Sequence, residues 1–307
     1  MQTYPEPAQT PKLPKDKTLS TMKRERNVLI VTFLSVPLFL LIVFTYLPAV
    51  NMFRYSFFRW DGNAPFMDFV GFDNYVTLFS QSRYTGVMLN SLYYVVASFV
   101  QLFLALVLAY WLSFRLRGTN FFKGVFFFPY LLNGVAVALM FLFFFEPNGT
   151  LNSILRFVGA DSAIRLWLVE PVVNNLLLAT ISIWRYIGFN IVLFIAVISA
   201  ISPELYEAAE IDGASRSQIL WKIVVPNIRM IILLNLILAI KGAISVFEVP
   251  FLITRGDWGT STFVIEALRI TFGGNPRYGL GSAFAIVLFV LIILITLMQK
   301  ALFKEER

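Results

Sequence analysis

Residues 279–303 read GLGSAFAIVLFVLIILITLMQKALF, and Lys300 is the one charged side chain in this run. A helix needs about 20 predominantly apolar residues to cross the hydrocarbon core of a bilayer, which is about 30 Å thick. Comparable apolar runs occur at 28–50, 88–113, 124–145, 173–200 and 229–249. The sequence therefore predicts an all-α polytopic membrane protein with six transmembrane helices.

The composition of the whole chain agrees with this fold class. Of the 307 residues, 58% are hydrophobic and 14% are charged, whereas soluble globular proteins have about 25% charged residues. The chain contains neither cysteine nor histidine, which excludes disulfides, zinc sites with the usual ligands and His-dependent nucleophiles. The formal charge of +7 requires no nucleic acid, because membrane proteins concentrate Lys and Arg in their cytoplasmic loops.

The distribution of Lys and Arg predicts the orientation in the membrane. Six spans place both ends of the chain on one side, and that side carries 15 Lys and Arg against 8 on the other. Both termini are therefore predicted to be cytoplasmic. Residues 1–27, rich in Pro, Lys and Thr, are predicted to be a flexible tail, 28–303 the transmembrane domain, and 304–307 a cytoplasmic C-terminal end.

A polar loop at about 202–226, between the fourth and fifth spans, carries the clearest local signals. It reads SPELYEAAEIDGASRSQILWKIVVP. Pro203 and Glu204 favour the first turn of a short helix, and Asp212-Gly213 favours a turn. A second short helix is predicted at about 215–223, with Pro226 opening the fifth span. The loop is thus predicted to be a cytoplasmic elbow of two short helices.

The composition of this elbow suits contact with a partner. Ala208 and Ala209 are small enough for another surface to approach the backbone, and Glu207 places a negative charge beside them. An ordinary amphipathic loop helix explains the same residues equally well. Local physical chemistry does not decide between these two interpretations.

The elbow resembles the EAA loop of permease subunits in binding-protein-dependent ABC importers. In that motif, E-A-A is followed after three residues by Gly and after nine more by I-x-L-P. Val225 replaces the usual Leu, and the matching positions are Glu207, Ala208, Ala209, Gly213, Ile223 and Pro226. The likeness covers about 28–303. Within it, five stretches resemble the carbohydrate-uptake branch of these permeases, of the maltose or glycerol-3-phosphate type, and they are 69–75, 117–123, 128–130, 184–190 and 247–254. Residues 255–258 depart from the Gly-Gly-Pro turn that is frequent in that branch.

This resemblance implies a membrane-spanning subunit that forms half of the path for a sugar or sugar-like solute in a bacterial or archaeal cell membrane. Its implied partners are the lipid bilayer, a second permease subunit, two ATPase subunits and an extracytoplasmic solute-binding protein. The sequence lacks G-x-x-x-x-G-K-[ST], so ATP and Mg²⁺ are expected on the ATPase subunits, with no cofactor and no enzymatic activity in this chain. The implied ATPase-coupling residues are Glu207, Ala208, Ala209, Asp212, Gly213, Ile223 and Pro226.

The solute path is predicted from polar and aromatic residues in the fourth and fifth spans. Ionisable groups at membrane depth usually face a cavity or a partner, and Lys241 and Glu248 would share one face of a continuous helix. Aromatic rings and an amide could stack on a sugar and hydrogen-bond to it. Three alternatives to a place in the path remain. The charged side chains snorkel to the interface, Arg185 and the other charges pair with the second permease, or the aromatic rings are interfacial anchors. The predicted path residues are Trp184, Tyr186, Asn190, Lys241, Ser245 and Glu248.

Two other classes of membrane protein remain open at this point. A membrane-embedded transferase for lipid-linked glycosyl or acyl groups would need an acidic cluster, and the dense cluster here is already part of the elbow. A secondary transporter or channel would work without an ATPase. Copurification of a second permease and an ATPase would distinguish the importer from both.

Overall fold

A computed structural model of the protein describes residues 19–113 and 118–302, and the side chains of 22–113 and 118–301. Residues 1–18 of the predicted tail, Arg117 of the stretch 117–123, Phe303, and the predicted C-terminal end 304–307 therefore lie outside the described residues. Residues 19–27 of the predicted tail belong to the first helix. Contacts between residues divide the chain into two units, with the boundary after Asn51.

Within the described residues, the unit that precedes this boundary is one helical segment. It contains α1 (Leu19–Leu41), a π-helical turn (Ile42–Tyr46) and the first residues of α2 (Leu47–Tyr55). At the end of the π turn, the backbone N–H of Leu47 donates a hydrogen bond to the carbonyl oxygen of Ile42. Pro48 follows at once, and the ring of a proline clashes with the carbonyl four residues before it in a regular helix. The wider turn relieves this crowding.

The unit that begins at Met52 contains the remaining elements. A two-stranded antiparallel hairpin pairs Phe58 with Phe69 and Arg59 with Asp68. The hairpin strands and the helices up to the fourth span are β1 (Phe58–Arg59), β2 (Asp68–Phe69), α3 (Asp73–Ser80), α4 (Ser82–Ser113), α5 (Thr119–Leu131), α6 (Gly134–Phe145), α7 (Thr150–Phe157), a 3₁₀ turn (Asp161–Ala163) and α8 (Pro171–Ile198). The later elements are α9 (Pro203–Ile211), α10 (Arg216–Ile219), a π-helical turn (Leu220–Val224), α11 (Val225–Ile244), α12 (Glu248–Thr254), α13 (Phe263–Phe272) and α14 (Tyr278–Leu302).

Six helical segments of the described chain are long and apolar enough to cross a membrane. They are Met22–Tyr55, Ser82–Ser113, Gly134–Phe157, Pro171–Ile198, Arg216–Thr254 and Tyr278–Ala301. The predicted fold class, an all-α protein with six transmembrane helices, is confirmed.

The run predicted as a single third span at 124–145 is divided in the structure. α5 ends at Leu131, and α6 begins at Gly134. Leu132 and Asn133 have extended backbone conformations, and the side chain of Asn133 accepts a hydrogen bond from the backbone N–H of Val135 at 2.8 Å. Asn favours the capping position of a new helix over the interior of an existing one, so the chain restarts here.

The fifth span is interrupted in a similar way. α11 ends at Ile244 and α12 begins at Glu248, with Phe247 in a non-helical conformation between them. The continuous helix expected over 229–249 is therefore absent. Lys241 and Glu248 lie on two different helices, and the shared face that a continuous helix would give them does not exist.

α8 is the central helix of the second unit and packs against α4 and α5. The first core cluster joins α4 and α8 to the segment from Ala209 to Ile228, and the second joins α6, α8 and α12. The third cluster joins α3, α13 and α14 around Phe284. At Gly188, α8 approaches the backbone of α5 so closely that an added Cβ would overlap the carbonyl oxygen of Phe126. Small residues permit such close contacts between helices in membranes.

We expect Gly188→Ala to destabilise the protein, because the added methyl group forces α5 away from α8. Overpacking of this kind costs about 1–3 kcal/mol. The measurement is the midpoint temperature of heat-induced aggregation in detergent, monitored by size-exclusion chromatography. Gly124→Ala on α5 is the matched control, since its Cβ meets no atom within 4 Å. Equal midpoints for the two variants would contradict the expected close packing.

Candidate coupling elbow and solute path

The first helix of the elbow has a defined beginning and a defined end. Pro203 occupies its first turn, where a missing N–H costs no hydrogen bond. At the other end, the backbone N–H of Ala214 donates to the carbonyl of Ala209 at 2.9 Å, and that of Gly213 donates to Glu210 at 3.1 Å. Gly213 has a φ of +73°. This pattern is a Schellman motif, which places a glycine in the left-handed region directly after a helix.

The second helix of the elbow is not a separate element. Ser215 and Gln218 form a capping box, and the helix that starts there continues through the π turn into α11. A helix begins where the second short helix was predicted, at about 215–223, and Pro226 stands in the first turn of α11, but no break separates this helix from the fifth span. Pro226 lies inside the continuous helix, and the π turn before it avoids the proline clash as it does before Pro48.

Two tyrosine hydroxyls attach the elbow to the membrane-spanning helices. Tyr110 on α4 donates to the carbonyl oxygen of Arg216 at 2.8 Å, and Tyr206 on α9 donates to the carbonyl oxygen of Ile198 at 3.2 Å. Burial raises the pKa of the Tyr206 hydroxyl, so it stays protonated and able to donate. Ala209, Ile219 and other apolar residues pack into the core cluster around Phe194. The elbow is therefore fixed to α8, α4 and α11.

The exposed face of α9 contains only some of the predicted coupling residues. Glu207, Ala208, Asp212 and Gly213 are exposed, whereas Ala209 is buried against the core cluster. Of the later motif positions, Ile223 is half-buried and Pro226 is exposed.

Ile211 is a surface residue of the elbow that the sequence reasoning missed. Its side chain is 86% exposed, which is unusual for a large apolar residue beside three acidic ones. A helical projection could have found it. Ile211 is two residues, or about 200°, from the inward-facing Ala209, because successive helical residues are about 100° apart.

We expect Tyr110→Phe to loosen the elbow, because the carbonyl of Arg216 loses a partly buried hydrogen bond worth about 1 kcal/mol. Amide hydrogen exchange over 203–219 should accelerate about fivefold, the factor that corresponds to this energy. Tyr75→Phe serves as the control, since it removes a hydroxyl contact to Ser56, in the loop between the first and second spans. Unchanged exchange in the elbow of the Tyr110 variant would refute the anchoring role.

An ion pair connects the middle of α8 to the break in the fifth span. Nη1 of Arg185 lies 2.6 Å from Oε2 of Glu248. Arg185 is 8% exposed, and its guanidinium also lies 5.3 Å from the centre of the Tyr186 ring. A charged group at membrane depth needs such a partner. The sequence predicted both charges at membrane depth but did not predict that they pair with each other.

The aromatic residues of the predicted path lie beside this pair. Tyr186 contacts Tyr130 with 6.2 Å between ring centres, and Trp184 contacts Phe141 with 5.3 Å. Both side chains are more than one-third exposed. Asn190 is buried one turn further along α8, where its amide donates to the carbonyl of Tyr186 at 3.4 Å. Of the predicted path residues, Tyr186 and Glu248 therefore surround Arg185.

Lys241 and Ser245 are placed apart from this group. Lys241 is exposed on the last turn of α11, and its carbonyl oxygen accepts the backbone N–H of Ser245, the residue that ends the helix. The break at 245–247 contains Ser245 and separates Lys241 from the first turn of α12. Proximity to Arg185 therefore gives no support to a role of Lys241 and Ser245 in the solute path.

These features define a multi-pass membrane subunit with interrupted spans and an anchored elbow. Residues 101–307 match the family described as "Binding-protein-dependent transport system inner membrane component". The chain belongs to this family, and it is a permease subunit of the ABC transporter class. This family gives no support to a membrane-embedded transferase or an ATP-independent transporter.

Two relatives are similar to this chain over nearly their whole length. The probable ABC transporter permease protein YurN of Bacillus subtilis is 32% identical over 287 residues, covering 92% of this chain and 98% of the relative. The multiple sugar-binding transport system permease protein MsmF of Streptococcus mutans is 32% identical over 280 residues, covering 89% of this chain and 94% of the relative.

A solved structure shares the fold. The chain superposes with a TM-score of 0.79 on a chain of a bacterial alginate ABC transporter, solved in complex with an alginate-pentasaccharide-bound periplasmic protein. The match covers 92% of this chain and 96% of that chain, at 24% sequence identity. At this identity the likeness concerns the fold alone.

Proposed function

We propose that this chain forms half of the membrane path of an ATP-driven importer for a sugar or a sugar-like solute. The observation that carries the proposal is the family match over 101–307, which includes the elbow. The solute class is supported by named relatives such as MsmF and the diacetylchitobiose uptake permease NgcF of Streptomyces coelicolor, which is 30% identical over 299 residues.

The proposed assembly contains a second permease subunit, two ATPase subunits and an extracytoplasmic solute-binding protein. ATP and Mg²⁺ bind to the ATPase subunits, since the sequence of this chain has no phosphate-cradling G-x-x-x-x-G-K-[ST] loop. The elbow and both termini lie on the cytoplasmic side. The excess of Lys and Arg on that side supports this orientation.

The elbow is proposed to receive the motion of the ATPase. Glu207, Ala208 and Ile211 form an exposed surface with one negative charge, one close-approach position and one apolar side chain. Burial of Ile211 in a cleft would contribute about 1.5–3 kcal/mol to docking, the usual value for a large aliphatic side chain. The tyrosine anchors and the core cluster then transmit a displacement of α9 to α8 and α11.

We expect Gly213→Asp to abolish uptake while the protein still inserts into the membrane. The left-handed conformation at this position costs most residues with a side chain about 1–2 kcal/mol, and Asp less than most, while the new carboxylate adds charge beside the docking surface. Uptake of radiolabelled sugars is measured in cells that express the complete importer, and copurified ATPase is quantified. Both should fall sharply.

Gly159→Asp is the matched control for this variant. Gly159 also has a φ of +73°, and a Cβ at either position meets no atom within 4 Å. It lies between the third and fourth spans, on the side opposite the elbow. Near-normal uptake in the Gly213 variant would refute the coupling role, and failure of the wild-type chain to copurify with an ATPase would refute the importer itself.

The solute path is proposed to run along α8, past the partly exposed rings of Trp184 and Tyr186 and the buried amide of Asn190. The two aromatic rings are partly exposed beside the interrupted spans, and non-helical backbone at membrane depth is tolerated where it is buried in protein or lines a water-filled cavity. Aromatic faces and amides are chemically suited to the apolar faces and hydroxyl groups of sugars.

We expect Asn190→Ala and Tyr186→Ala each to raise the half-saturating sugar concentration for uptake several-fold or to change the order of preference within a sugar panel. The lost contacts are a hydrogen-bonding amide and a stacking ring. Glucose, maltose and raffinose serve as the panel, and Phe99→Ala, a similarly exposed ring on α4, serves as the control. An unchanged affinity and an unchanged preference in both variants would count against this path.

A further inference from the structure

Three separate elements meet at the carboxylate of Glu248. The residue lies in the first turn of α12 and binds Arg185 in the middle of α8. Its carboxylate also rests on Gly134, the first residue of α6, so closely that a Cβ at that position would overlap both the carboxylate carbon and its oxygens. One side chain therefore contacts the central span and the restart points of two interrupted spans.

The charges at this junction are mutually compensating. The N-terminal turn of α6 carries a positive partial charge from its free N–H groups, and the Arg185 guanidinium carries a full positive charge. Both approach the same carboxylate. Because Arg185 is nearly fully buried, loss of its partner would leave an uncompensated charge inside the protein, which is strongly unfavourable.

Gly134 is required here for space. Its backbone φ is not in the left-handed region, so another residue could adopt this conformation. Any side chain at this position would, however, displace the Glu248 carboxylate. The junction is therefore possible because Gly134 in the third span has no Cβ, which leaves space for the Glu248 carboxylate of the fifth span.

We propose that Glu248 is a positioning residue for transport, which Arg185 and Gly134 hold in place so that the restarts of α6 and α12 move together with α8. This inference rests on the proposed importer function. It gives Glu248 a role different from that of a free solute ligand, since its carboxylate is already bound. α8 leads directly to the Ile198 carbonyl, which anchors the elbow, so the junction lies on the same helix that receives the motion.

The first test is Gly134→Ala in the complete importer, with uptake of radiolabelled glucose, maltose and raffinose as the probe. The maximal rate for the best-transported sugar should fall at least tenfold, with the half-saturating concentration within twofold of wild type. Gly124→Ala is the matched control in the same predicted span and should transport normally. The amount of assembled complex and its thermal midpoint are measured for both variants, so that a folding defect is recognised.

The second test is a double-mutant cycle with Arg185→Gln, Glu248→Gln and the double variant. If both side chains act as one junction, each single change should lower the maximal rate about tenfold and the double variant should be no worse than the more impaired single one. Multiplication of the two losses, to about a hundredfold, would show independent roles and overturn the proposal.

Two further outcomes would also overturn it. A normal maximal rate in Gly134→Ala would show that the close contact is not needed. A change confined to the half-saturating concentration in Glu248→Gln would make Glu248 a solute contact. Both outcomes are distinct from failure of the importer function, in which the wild-type chain itself would neither copurify with an ATPase nor support uptake.

Discussion

Inside a bilayer, every backbone N–H and C=O group must find a partner within the protein, because hydrocarbon offers none. This constraint determines most of the architecture described above. The chain satisfies it with long helices, and three departures from regular helix have a specific local solution. Before Pro48 and Pro226 the device is a π turn, which keeps the helix continuous although proline cannot donate a hydrogen bond. At Asn133 the device is a side-chain cap, which allows a helix to restart at membrane depth.

The interrupted spans create a second requirement, which is electrostatic. A helix that restarts inside the membrane exposes a partial positive charge far from water. Glu248 is placed against that charge at Gly134, and a carboxylate in turn needs a full positive partner. Arg185 provides it at 2.6 Å. The pair joins a buried Arg185 to a half-exposed Glu248. It is better understood as a consequence of the broken helices than as an independent source of stability, since ion pairs that remove a charge from water seldom stabilise more than an apolar replacement would.

The sequence predicted the features that depend on local composition. Apolar runs are sufficient for the six spans, since their length is set by bilayer thickness. The turn at Asp212-Gly213 follows from the chemistry of two adjacent residues. The break after Leu131 had a local signal too, Asn133-Gly134 within an apolar run, but the need for glycine there depends on Glu248, which is distant in sequence. In the same way, the two adjacent alanines of the elbow differ in burial because Ala209 packs into the core cluster that contains Phe194, a tertiary arrangement that spacing alone cannot reveal.

Two glycines illustrate how differently one residue type can serve the same fold. Gly213 has open space around it and is required for its backbone conformation, φ +73°, which ends α9 and turns the chain toward the fifth span. Gly134 has an ordinary conformation and is required because a carboxylate occupies the space of its missing Cβ. The first is a conformational constraint at the surface, and the second is a packing constraint in the interior. α8 connects them, since its end anchors Tyr206 and its middle holds Arg185. Under the coupling role proposed for the elbow, a displacement of α9 reaches the interrupted spans through both attachments, so a change that loosens either glycine site should impair transport without altering the long helices between them.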